Sequence, residues 1–128
     1  MKDDIRRFLL GRGMDLVGFA DAARFQAPQG HNPTDILEGC RSVVVFAKAI
    51  PKGIFEARQF RFQLYLNAYE SYFATMDELA LEAASRLEER GFLSVPIPSC
   101  TPMPRRDGLY RGILSLKHAA ELAGLGKF

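Results

Sequence analysis

Ser115 stands directly before a short run of helical composition, Leu116 to Leu122, that carries Lys117 and His118 and is closed by Gly124 and Gly126. A serine at a helix start caps free backbone N–H groups, and the N–H groups left over, together with the helix dipole, favour an anionic group. The two glycines permit close approach of backbone to a ligand. A capped surface helix with a solvated lysine and a satisfied histidine accounts for the same residues. Arg105, Arg106 and Arg111 form a second cluster, opposed by one acid, Asp107, with Tyr110 able to stack a flat ring among them. Guanidinium groups bind phosphate and carboxylate in two-point fashion, so this segment is a candidate substrate- or anion-binding loop. A solvated basic loop is the plain alternative. Tyr65, Tyr69 and Tyr72 lie on or beside an apolar stripe; a phenol there can donate a proton or fill a core. Cys40 and Cys100, even with His31 and His118, match no zinc spacing, so no metal site is expected. Cys40 precedes a buried strand and reads as structural; Cys100 follows Pro98-Ser99, with nothing nearby to lower its pKa.

The elements that must position these groups follow from periodicity. Ile5, Phe8 and Leu9 keep helical spacing behind Asp3 and Asp4, and Gly11-Arg12-Gly13 stops that helix. Leu16 to Ala20 reads as a buried strand, with a polar turn or short helix at Asp21. Phe25 to Asn32 is loop-like, and Asn32 caps one turn of helix from Pro33 to Glu38. Ser42 to Ala47, the most β-branched segment, predicts a central strand ended by Pro51 and Gly53. From Arg61 to Arg90 apolar residues recur four and three apart, at Phe62, Leu66, Tyr69, Phe73, Met76, Ala80, Ala83 and Leu87. That spacing predicts an amphipathic helix of about 40 Å, with a break possible at the capping box Thr75 to Glu78. Phe92 to Pro98 is extended, and its two prolines restrict it to an edge strand or one running into a loop. Residues 99–112 read as irregular.

The chain has 128 residues, one domain's worth, with 48% hydrophobic and 25% charged residues, enough to bury a core. The formal charge of +2 does not by itself point to nucleic acid or a membrane surface. Two cysteines exclude a disulfide framework and an iron–sulfur ligand set. The start lacks the apolar run of a signal peptide, and no stretch reaches the roughly 20 apolar residues of a membrane helix, so a cytoplasmic protein is expected.

The segment Gly112 to Gly126, with its serine cap, Lys-His pair and Gly-Leu-Gly turn, resembles a motif of the epoxyqueuosine reductase family, cobalamin-dependent iron–sulfur reductases related to the reductive dehalogenases. Leu16 to Asp21 resembles that family's first strand. Pro33, Ile36, Leu37, Gly39, Arg41 and Ser42 through Val45 to Pro51 resemble its second strand and the helix before it. The resemblance implies the first half of a nitroreductase-like cobalamin-binding domain. It places a corrinoid against Ser115, Lys117, His118, Gly124 and Gly126, through its amide side chains or phosphate-bearing tail. In that family the chain continues into a part carrying two cubane clusters, so these residues are expected to be the N-terminal portion of a longer reductase, with the iron–sulfur clusters in the missing part. An Arg-Asp-Tyr-His segment supplies the family's proton donor. Here Phe60 to Tyr69 holds no aspartate, which leaves Tyr65 or Tyr69 as the replacement.

The expected fold is α+β: a small sheet of residues 15–20, 42–48 and 92–97 packed on the long helix. The expected function is the cobalamin-binding part of an epoxyqueuosine reductase-like oxidoreductase, inactive alone for lack of clusters, acting in the parent protein on a small-molecule or tRNA-borne substrate. The alternative is a non-catalytic ligand-binding or subunit-assembly module that uses the long helix as its surface. A flavin-binding nitroreductase relative shares the fold but not the last motif. Loss of partners for the face through Phe62, Leu66, Tyr69, Phe73 and Met76 predicts a homo-oligomer.

Overall fold

Hydrophobic spacing of three and four residues builds the first helix, α1 (Lys2–Gly11), which buries Ile5 and Leu9 one turn apart. In the computed structural model, residues 1–99, 103–104 and 110–127 are described, with 103, 104, 110 and 111 described in backbone only. The chain divides into two units, Met1–Ala47 with Ser99–Phe128, and Lys48–Pro98. The fold is α+β, with a two-stranded antiparallel sheet in the first unit and a long helix in the second.

In the first unit, β1 (Leu16–Asp21) pairs antiparallel with β2 (Ser42–Ala47), from Leu16 opposite Ala47 to Asp21 opposite Ser42. Alternation along β1 buries Gly18 and Ala20 on one face and leaves Val17 and Phe19 half-buried on the other. The cations of Lys2 and Arg6, one turn apart on α1, lie 5.4 and 5.1 Å from the centre of the Phe19 ring. A 3₁₀ turn, Ala22–Arg24, follows β1, capped by the Asp21 carboxylate accepting from Ala23 N at 2.9 Å. The short helix α2 (Pro33–Ile36) leads into β2. Both α1 and the last helix, α5 (Leu116–Leu122), contact β1, and α5 also contacts β2. The buried apolar residues of this unit are Ile5, Leu9, Met14, Ala20, Ala22, Leu114 and Ala119.

In the second unit, α3 (Lys52–Glu56) precedes α4 (Arg61–Glu89), and Phe60 between them holds a left-handed backbone at φ 61°. At about 1.5 Å per residue α4 is ~43 Å long, and it is continuous through Thr75. It buries Leu79, Ala83 and Ala84 in its second half, whereas Phe62 near its start is 73% exposed. Gly91 at φ +90° ends it, with Gly91 N donating to Glu88 O and Phe92 N to Leu87 O. That pair of bonds is the Schellman pattern that glycine permits.

Three expectations require correction. Residues 92–97 form no strand: Pro96 and Pro98 lack an N–H to donate, and Leu93 is 78% exposed, so the segment has no buried face to hold a register. The sheet therefore has two strands, and Ser42–Ala47 pairs with β1 alone among the described residues; its six side chains are half-buried or exposed rather than those of a central strand. Within their unit these strands contact helices chiefly through α1 and α5. Residues 99–112 are not wholly irregular, because β3 (Met103–Pro104) pairs with β4 (Tyr110–Arg111). Pro51 and Gly53 do follow the end of β2, and they also conceal α3, at whose N-cap Pro51 sits.

Candidate functional site

The last helix is built from local signals. Ser115 holds an extended backbone, and its hydroxyl accepts from His118 N at 3.4 Å; the same Oγ lies 2.6 Å from His118 Nδ1. The serine thus binds both the helix start and the imidazole that follows one turn later. At the other end Gly124 adopts φ +79°, with Gly124 N donating to Glu121 O at 3.0 Å and Leu125 N to Ala120 O at 2.9 Å. This is again a Schellman turn, and it explains why a glycine stands there: a residue with a Cβ is strained in that conformation.

The helix is seated by contacts far apart in the chain. Ala119 is 1% exposed and Leu114 is buried. Gly18, in the middle of β1, has no side chain to hold the turn away: a Cβ there would lie 2.7 Å from Ala123 O and 2.8 Å from Leu125 Cδ2. The Arg24 guanidinium reaches Leu122 O at 3.5 Å, toward a terminal carbonyl that the helix leaves unpaired. Ahead of the helix, His31 Nδ1 donates to Ile113 O at 3.0 Å, and His31 Nε2 is buried with no partner among the described residues.

The loop that carries His31 is held by the residues on either side of it. The Asp35 carboxylate accepts from Asn32 Nδ2 at 3.0 Å, Asn32 N at 3.1 Å and Gly30 N at 3.0 Å. Asn32 also accepts from Ala27 N and donates to Ala27 O. The Asn32 side-chain amide, then the Asn32 backbone N–H, hold the Asp35 carboxyl below its ordinary pKa; desolvation opposes them and comes next in size, and Gly30 N–H and His31 add lesser lowering effects.

Of the sequence-derived site residues, Ser115 and His118 are brought into direct contact, and Lys117 and His118 stay exposed on the helix. Gly124 and Gly126 both face open space, with no heavy atom within 4 Å of the position a Cβ would take. Tyr65 and Tyr69 belong to the second unit, in a row of rings in which Phe55 to Tyr65, Tyr65 to Tyr69 and Tyr69 to Phe73 are 6.1, 6.2 and 3.8 Å apart. Tyr72, half-buried, lies outside that row. Arg105, Arg106 and Cys100 fall outside the described residues, and Arg111 is described only as backbone paired with Met103. Among the described residues no group of three or more His, Cys, Asp or Glu side chains converges to hold a metal ion, and no helix is long and apolar enough to cross a membrane. Sequence reasoning missed Gly18, His31 and Arg24 as the residues that seat the helix. A glycine inside an otherwise apolar strand was the available signal for the first of them.

Compared with protein-family models, curated proteins and solved structures, the chain matches none.

Proposed function

We propose that this chain supplies the corrinoid-contacting segment of an epoxyqueuosine reductase-like, cytoplasmic iron–sulfur oxidoreductase with a nitroreductase-like domain. The observation that carries the proposal is the open backbone at Gly124 and Gly126, beside a helix that exposes Lys117 and His118. A flat macrocycle bordered by amide side chains needs such a surface, on which backbone groups meet its edge without a Cβ in the way. When bound, the corrinoid would supply the reductive chemistry. The residues of this chain hold and orient it: the Ser115 contact fixes the His118 ring, and Lys117 offers a cation to a phosphate-bearing tail. In this assignment Tyr65 or Tyr69 remains the candidate proton donor, and Arg105, Arg106 and Arg111 remain the candidate residues for the anionic part of a small-molecule or tRNA-borne substrate. Two cysteines cannot ligate a cubane cluster, so the electrons come from clusters outside these 128 residues, and the chain alone is inactive.

Titration with hydroxocobalamin, followed by absorbance, tests the assignment. Saturable binding is expected, and Gly126→Val should abolish it while leaving the fold intact, because the position is open. Lys117→Ala should weaken it by no more than about fivefold, the size of one exposed charge contact. Absence of binding, or a Gly126→Val variant that binds like the parent, overturns it.

A second assignment, a non-catalytic ligand-binding or subunit-assembly module, draws on the exposed apolar side chains of α4, where Phe62, Leu64, Tyr65, Leu66 and Tyr69 are all at least 36% exposed. Large apolar surface of this kind is characteristic of interaction sites. A homo-oligomer is the simplest assembly to use it.

A further inference from the structure

At one end of the β1–β2 pair, an open groove of about 450 Å³ lies between the start of α1, α2 and the strands; its walls include Lys2, Phe19, Asp21, Thr34, Arg41 and Ser42. Its polar groups are mostly unspent. Asp21, the carboxylate lining it, is occupied in capping Ala23 N. The Thr34 and Ser42 hydroxyls and the Arg41 guanidinium bond to no described residue, and all three residues are exposed. Lys2 faces the Phe19 ring at 5.4 Å, a contact that leaves its N–H donors available.

We infer that this groove binds the phosphate of a small phosphomonoester. Its lining carries two cations, Lys2 and Arg41, against one carboxylate, Asp21, which already accepts from Ala23 N. A guanidinium fork, an ammonium and two hydroxyls offer more donors than the two oxygens of a carboxylate accept comfortably, whereas the three terminal oxygens of a phosphate ester accept them all. The groove is within the roughly 300–1,000 Å³ of small-molecule sites, well beyond what a bare phosphate fills. Its apolar wall of Phe19, Ala20 and Ala23 suits the organic part of the ester. The inference stands apart from the corrinoid assignment, since none of these residues belongs to the Ser115–Gly126 segment.

Phenyl phosphate is the probe, titrated into the full chain and followed by amide chemical shifts. Saturable binding with Kd on the order of 1 mM is expected, with the shifts centred on Phe19–Ala23 and Cys40–Ser42. Arg41→Gln should raise Kd about tenfold with an unchanged amide spectrum elsewhere, and Ser42→Ala about threefold, in keeping with the loss of one charged and one neutral hydrogen-bonding group. In a Cys100→Ser background, phenyl phosphate should also slow alkylation of Cys40, which lines the groove. Phenol producing the same shifts, an Arg41→Gln variant that binds like the parent, or unprotected Cys40 at saturation overturns the inference.

Discussion

Gly18 and Ala123, separated by most of the chain, meet so closely that a single Cβ on the glycine would stand 2.7 Å from the Ala123 carbonyl oxygen. Backbone cannot yield as a flexible side-chain tip does, so the strand and the helix-ending turn are packed on the absence of one methyl group. Gly18→Ala should therefore destabilise the first unit by about 1–3 kcal/mol, the usual cost of overpacking. Urea denaturation measures the loss, and amide exchange should show it in α5 first. An alanine variant as stable as the parent would show that the helix does not sit on β1 as described.

The two glycines of the terminal turn should respond differently. Gly124 has φ +79°, so Gly124→Ala should cost about 1–2 kcal/mol by left-handed strain alone. Gly126 has open space and no such φ, and Gly126→Ala should stay within about 0.5 kcal/mol. Thermal melts of the two variants side by side provide the measurement.

Acid should loosen the loop that carries His31. The Asp35 carboxyl is held below its ordinary pKa by the Asn32 amide and its neighbours, so its contribution to stability is present above the unfolded-state pKa and is lost as pH falls through the lower folded-state value. The change belongs below about pH 4, where carboxylates protonate. The amide resonances of Gly30 and Asn32, both donors to Asp35, should shift together in that range, and Asp35→Asn should remove the shared transition.

Replacing His31 by alanine should release the segment before α5. The bond from Nδ1 to Ile113 O joins residues 82 apart in sequence, and its loss should cost about 1 kcal/mol. Faster amide exchange at Ser115–His118, with α1 unaffected, is the expected signature.

Self-association through α4 can be tested by charge. Phe62 is 73% exposed, so Phe62→Glu should leave the monomer's stability within about 0.5 kcal/mol. If α4 mediates a homo-oligomer, light scattering should show the parent associating at micromolar concentration and the variant monomeric. A parent that is monomeric over that range removes the oligomer from consideration.

Much of this protein was legible without its structure because the signals are local. The Ile5–Leu9 spacing, the β-branched run at Ser42–Ala47, the long stripe of α4 and the caps at Ser115 and Gly124 each involve residues within a turn or a strand of one another. Backbone geometry and hydrogen bonding at that range are set by the residues themselves. Tertiary structure decided the rest. Apolar residues at 92–97 announce a strand only if a partner edge exists, and two prolines with an exposed leucine leave none to be used. Nothing near Gly18 in sequence points to Ala123, nor near His31 to Ile113, and the groove draws on α1, α2 and both strands at once. Such meetings depend on which faces pack and in what register, and that is a property of the whole first unit rather than of any one segment.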